Sequence, residues 1–336
     1  MTSYSFAHLL RISTDIGTFE HADHSAPRVE CGFCTDDMAR VLIVVSREPE
    51  PSEAVVQLGR IAYRFVADAQ SGSGESRNRR SATGQWEDEA TVEDCWGRSL
   101  WAFGTAARLA TEESIRERAL TSFERGAQQR SPWPRSMAFA ALGAADVLAA
   151  HPNNRQAHAL LEDTIVAIGP PAASARWPWP QARLSYANAA LPDALIAAGA
   201  ALQRPKVLHD GLLLLRWLLA RETLNGHLSP TPVAGSGPDE TAPRFDQQPI
   251  EIATMADACL RASTVDDDGR WLAAVKQAAA WFAGDNDIAT PMQDAQSGGG
   301  FDGLTPNGPN QNCGAESTLA MMSTLQVAAR MQRGPG

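Results

Sequence analysis

Apolar residues recur along this chain at the i, i+3, i+4, i+7 spacing of helices, and runs that alternate apolar with polar positions are nearly absent. The pattern predicts an all-α protein. Its helices fall at about 37–48, 52–69, 94–110, 112–130, 135–149, 153–168, 188–202, 204–220, 249–264, 266–284 and 315–331, with a further short segment at 6–12. The helices alternate in character. One member of each pair is small, apolar and nearly free of charge beyond its first turn, as at 138–145 and 189–200, whereas the other carries charge on one face, as at 112–120 and 266–276. A helix apolar all round is enclosed by protein; one with a polar stripe faces water. The enclosed type begins near Asp37, Asp94, Arg135, Asn188, Pro249 and Ala315, so six inner helices alternate with about six outer ones, as in an (α/α)6 toroid. An open solenoid of helix pairs would show similar repeats of fixed length. These units differ too much in length and motif for that.

Length and 44% hydrophobic content permit one large core or two ordinary ones. The continuous alternation of helix types favours a single domain over 1–336. A formal charge of −10 argues against a nucleic-acid partner, and the basic cluster Arg77, Arg79, Arg80 sits in a Gly/Ser-rich loop beside Glu75, as a solvated loop would. The first residues lack the basic and apolar regions of an export signal, and no stretch is apolar for the length of a bilayer span. Five cysteines, an odd number, suit a reducing compartment better than a disulfide framework. The expectation is a soluble cytoplasmic protein with no membrane partner.

The unusual polar and aromatic residues gather just before the inner helices. They include Asp15 to His21, Asp36 and Asp37, Trp86, Glu93 and Asp94, Trp133 and Arg135, Trp177 and Trp179, Tyr186 and Asn188, Asp246 to Gln248 with Glu251, and Asp302 with Asn310, Asn312 and Glu316. In a helical toroid these positions converge on one mouth. N-caps would explain one Asp per helix, but not Gln247, Gln248, Glu251 and Glu316, nor tryptophans kept in connecting loops. Carboxylates, amides and indoles together suit a carbohydrate, whose hydroxyls need polar partners and whose ring face stacks on aromatics. Hydrolysis of a glycosidic bond needs one carboxylic acid for the leaving oxygen and one carboxylate to activate water or attack the sugar.

The segments 32–40, 93–104, 177–188, 245–251 and 299–306 with 314–317 resemble a bacterial family of six-hairpin glycosidase-like proteins, similar domains of which also occur fused behind bacterial glycosyltransferases. The resemblance spans nearly the whole chain and implies the (α/α)6 fold and carbohydrate metabolism. Two positions depart from the family pattern. Pro180-Gln181 stands where an acidic residue is usual, and Ala187 interrupts a Tyr-Asp-Asn pattern, so each removes a carboxylate from the mouth.

Asp37 and Asp94 are expected as base or nucleophile, each with an arginine about one turn on (Arg40, Arg98) to hold it ionised. Glu251, in the first turn of an apolar helix, is expected as the acid, with a capping-box role as the alternative. Asp36, Arg40, Glu93, Arg98, Asn188, Asp246, Gln247, Gln248, Asp302 and Glu316 are expected to bind an oligosaccharide, with Trp177 and Trp179 as stacking platforms. Phosphorolysis would need an anion site, which Arg135 or Arg183 could provide. Epimerisation would need a well-placed histidine, for which His21 is the mouth candidate, and a binding module without chemistry is the non-enzymatic alternative. Cys31 and Cys34 have thiol-redox spacing but lack the βαβ context, and no motif for metal, phosphate or dinucleotide binding is present, so neither metal nor cofactor is expected.

Overall fold

The computed structural model describes residues 4–333. Twelve α-helices occur there: α1 (Ala7–Arg11), α2 (Thr35–Arg47), α3 (Glu53–Ala69), α4 (Asp94–Leu109), α5 (Glu113–Gly126), α6 (Pro134–Ala150), α7 (Arg155–Ile168), α8 (Ala190–Ala201), α9 (Pro205–Arg221), α10 (Pro249–Ala262), α11 (Arg270–Phe282) and α12 (Ala315–Arg333). The even-numbered helices form a closed inner ring, α2 against α4, α4 against α6, and so on to α12 against α2. Outside it, α3, α5, α7, α9 and α11 each pack on the inner helix that precedes them. This is the (α/α)6 toroid that the helix alternation predicts.

Burial explains the two layers. In α4 every residue from Cys95 to Ala107 is buried, and in α8 every residue from Ala190 to Gly199. In the outer helix α5 only Ile115, Ala119, Ser122, Phe123 and Gly126 are buried, a stripe at helical spacing. Glycine sets the tightest seam of the ring. A Cβ on Gly143 would lie 2.1 Å from the Leu100 carbonyl oxygen, one on Gly104 would lie 2.1 Å from that of Gly143, and one on Gly97 would lie 2.2 Å from that of Ser136. The backbones of α4 and α6 therefore approach as only glycine allows.

The helix starts follow local rules. Ser52 and Asn154 cap α3 and α7 through their side-chain oxygens, Cys34 caps α2 through its sulfur, and proline opens α6, α9 and α10. The sequence pattern does not predict the four antiparallel ribbons in the connections: β1 (Ala22–Asp23) with β2 (Ala26–Pro27), β3 (Phe33–Cys34) with β4 (Arg79–Arg80), β5 (Thr223–Leu224) with β6 (His227–Leu228), and β7 (Gly303–Thr305) with β8 (Gly308–Asn310). Strands of two or three residues are too short to show a period of two. The β3–β4 pairing, Phe33 opposite Arg80 and Cys34 opposite Arg79, draws the long α3–α4 loop over the start of α2. No described helix is long and apolar enough to cross a membrane.

Candidate active site

The N-terminal ends of all six inner helices meet at one end of the ring, each joined to the next by a polar or backbone contact. Arg40 of α2 bonds Glu316 of α12 at 2.5 Å, and Arg98 of α4 lies 3.6 Å from Asp36 of α2. The Ser136 hydroxyl of α6 donates to Asp94 of α4 at 2.6 Å. Arg135 of α6 lies 4.9 Å over the ring of Tyr186, just before α8, and the Asn188 amide there donates to Glu251 of α10 at 3.3 Å. The backbones of Gln247 and Leu304 close the circle between the approaches to α10 and α12.

A cavity of about 480 Å³ opens on this face, lined by Asp36, Asn78, Glu93, Asp94, Trp133 and Ser136 among others. Asp36 is gripped by Asn78, which donates its side-chain amide to one carboxylate oxygen at 3.1 Å and accepts the Asp36 backbone N–H at 3.2 Å. The other oxygen, Oδ1, is buried without a hydrogen bond. Burial pushes the Asp36 carboxyl above its ordinary range, against the pull of Arg98 and Arg40 and with the help of Asp94. Arg98 is itself buried beside Arg40, which lowers its pKa to about 10, and its guanidinium lies 4.0 Å from the centre of the Phe139 ring. Trp133, 58% exposed, presents an open indole at the cavity edge.

Asp37 and Glu251 stand in the wall. Asp37 is 2% exposed and accepts from Arg40 at 2.6 Å and from the Cys34 thiol at 3.2 Å. Burial raises its pKa to about 6, since the neighbouring Glu316 and Glu20 offset part of what Arg40 contributes. Glu251, 3% exposed, accepts the backbone N–H groups of Ala187 and Asn188 as well as the Asn188 amide. Burial next to the equally buried Glu222 raises its pKa to about 8. Glu222 lines a second cavity of about 410 Å³ with Trp217, Arg221 and Ser236. Neither Asp37 nor Glu251 lines the 480 Å³ cavity.

The remaining expected residues divide the same way. Glu93 is exposed on the cavity rim. Asn188 is buried and ties Ser185 N–H to Glu251. Asp302 accepts from Ser317 at 2.5 Å and from Gly314 N–H at 2.8 Å, so it braces the start of α12. Gln247 is buried, donating to Asp287 at 2.6 Å, while Asp246 is exposed and Gln248 half-buried. The tryptophans differ from expectation. Trp179 is 1% exposed and stacked on Trp217, and Trp177 meets Trp217 edge-on at 5.1 Å. These rings are held by loop and core packing, so the open platform is Trp133. Asn78, Ser136 and Tyr186 also stand in the site; an amide in a Gly/Ser-rich loop is the signal by which Asn78 could have been found.

Glu20, Cys34 and Asp37 place one ligand atom each within 4.8 Å of one another, a spacing that could hold a metal ion. Arg79 and Arg40 already neutralise Glu20 and Asp37. His8 is buried with Nε2 2.8 Å from the Cys313 carbonyl oxygen, His21 is exposed beside Glu20, and no histidine lines the 480 Å³ cavity.

No protein-family model matches the sequence, and no curated relative matches it. Solved structures do. A sugar epimerase from a ruminal bacterium superposes with a TM-score of 0.73 at 11% identity, covering 98% of this chain and 96% of its own. What it shares with this chain is the fold. Cellobiose 2-epimerase from Spirochaeta thermophila gives 0.72 at 13% identity, covering 98% and 94%, and the GH76A α-1,6-mannanase from Salegentibacter gives 0.65 at 11%, covering 97% and 96%. The (α/α)6 barrel thus houses both epimerases and glycosidases among its neighbours.

Proposed function

We propose that this chain is a glycoside hydrolase acting on short gluco- or manno-configured oligosaccharides, with Asp36 as the acid and Asp94 as the base or nucleophile. The observation that carries this reading is that these two carboxyl groups line one cavity in different environments. Asp36 is half-buried, raised in pKa by desolvation and has one oxygen that faces Arg98 without a hydrogen bond; Asp94 accepts a hydroxyl hydrogen bond from Ser136. A carboxyl group that burial helps to keep its proton suits the acid role, and a second carboxylate on the same cavity supplies the base or nucleophile. Trp133 would stack on a sugar ring at the rim, and Asn78 and Glu93 would meet hydroxyls. Asp37 and Glu251, better placed in the sequence pattern, are assigned to holding the wall.

The test is release of reducing ends by the purified chain from α- and β-linked gluco- and manno-oligosaccharides, with and without phosphate. Release that needs no phosphate and is lost in both Asp36→Asn and Asp94→Asn supports hydrolysis through this pair. Full activity in either variant sinks the assignment. A second reading, sugar epimerisation, is favoured by the activities of the fold neighbours. It requires exchange of a carbon-bound hydrogen beside a carbonyl, so deuterium incorporation from heavy water without release of reducing ends would select it.

A further inference from the structure

Four arginines at or near the mouth are neutralised, and Arg135 is not. Arg40 bonds Asp37 and Glu316, Arg98 faces Asp36, Arg79 bonds Glu20, and Arg183 bonds Glu240. Arg135 has no ion pair among the described residues, and its Nε and Nη2 are buried without a hydrogen bond. Its guanidinium lies instead 4.9 Å over the Tyr186 ring, which replaces only part of the hydration that a buried cation gives up. The carboxyl groups that act on it are Glu251 and Asp94, and both have other donors: three N–H groups converge on Glu251 and the Ser136 hydroxyl engages Asp94. Trp133 and Ser136, on either side of it in the chain, line the 480 Å³ cavity, whereas Arg135 does not; it is half-buried beside that cavity, within reach of the charge of Asp94, which does line it.

We propose that Arg135 receives an oxyanion, a carboxylate or phosphate group that arrives with the saccharide ligand. This rests on the reading of the mouth as a saccharide site. A guanidinium held flat on an aromatic ring is fixed in direction and offers a fork of N–H donors that matches carboxylate and phosphate oxygens. Neutral hydroxyls would leave its charge uncompensated. Arg183 is not such a receptor, because its exposed side chain is already taken by Glu240.

The experiment is calorimetric titration and thermal shift of the full chain with glucose, glucuronate, glucose 1-phosphate and inorganic phosphate, for the wild type, Arg135→Gln, Arg135→Lys and Tyr186→Leu. At least one anionic probe should bind the wild type more tightly than glucose does. Its affinity should fall about 10- to 100-fold in Arg135→Gln, as for loss of a charge-assisted hydrogen bond, and by less in Arg135→Lys. Binding of glucuronate or the sugar phosphate would place the anion on the saccharide; binding of inorganic phosphate alone would identify a free co-substrate. Without ligand, Arg135→Gln should melt no lower than the wild type, because it removes an uncompensated cation.

Anionic probes that bind no better than glucose, or equally well to wild type, Arg135→Gln and Tyr186→Leu, overturn the proposal. If Arg135→Gln fails to fold, Arg135→Lys and Tyr186→Leu carry the comparison. Anion binding without release of reducing ends would sink the hydrolase reading and keep this one. Hydrolysis of neutral oligosaccharides at unchanged rate in Arg135→Lys and Tyr186→Leu, with no anion bound, would do the reverse.

Discussion

Asp36 and Asp37 are neighbours in the chain, yet one faces a cavity and the other a wall. Successive residues at a helix start point about 100° apart, so the first turn of α2 hands one carboxylate to Asn78 and the cavity and the other to Arg40. Substitutions should separate the two. Asp94→Asn is expected to lower kcat by about 10²- to 10⁴-fold with little change in melting temperature, whereas Asp36→Asn, which also removes the ion-pair partner of buried Arg98, should lower both. Asp37→Asn should instead leave kcat within a few fold and act on stability, its melting temperature relative to wild type climbing as pH rises from about 4 to 6 because the amide has no proton to lose; denaturant unfolding beside rate measurements checks both. Residue types and their clustering make the acidic mouth legible in sequence. Which acid faces the cavity is not, because Asn78 lies 42 residues from Asp36 and Ser136 lies 42 from Asp94. Trp179 was misleading for the same reason: its burial is decided by Trp217 on α9.

At the scale of elements, α10 and the approach to α8 are joined through Glu251, and that junction should respond to pH. Glu251 keeps its proton in the folded chain to about pH 8, whereas an unfolded glutamate loses it near 4.5. The folded state therefore holds the proton more tightly, and its advantage is full below about pH 4.5, declines as pH rises and is gone above about pH 8. Glu251→Gln cannot lose a proton, so its melting temperature relative to wild type should climb between pH 5 and 8, the remaining slope coming in part from Glu222, also raised, to about 7. A parallel pair of curves would refute the link. The α4–α6 seam makes a second prediction. Alanine in place of Gly143 gains about 1 kcal/mol in helix propensity but drives a methyl group into the Leu100 carbonyl, and overpacking should win, for a net loss of roughly 2–3 kcal/mol. Because Asp94 and Ser136 meet across that seam, kcat should fall with it. The helices themselves were readable from their period, to within a few residues: α5 ends at Gly126 rather than near 130, and α11 starts at Arg270 after an acidic turn.

For the molecule as a whole, the ring is what the sequence pattern conveyed best, since enclosed and half-enclosed helices differ in composition. Its closure rests on contacts between the first and last inner helices: Arg40 to Glu316 at the mouth, and Gln326 to the Val44 carbonyl near the other end. We propose that the chain unfolds as one unit, with calorimetric and van't Hoff enthalpies that agree; two resolved transitions would show an internal boundary. The same closure has a consequence during synthesis. Glu316 follows Arg40 by 276 residues. At ribosomal rates of 5–20 residues per second, the nascent chain spends roughly 14–55 s with Arg40 and Asp37 translated and the last staple of the circle still to come. Throughout that interval α2 is an apolar helix with one flank bare, so newly made protein should depend on chaperones far more than the finished ring does.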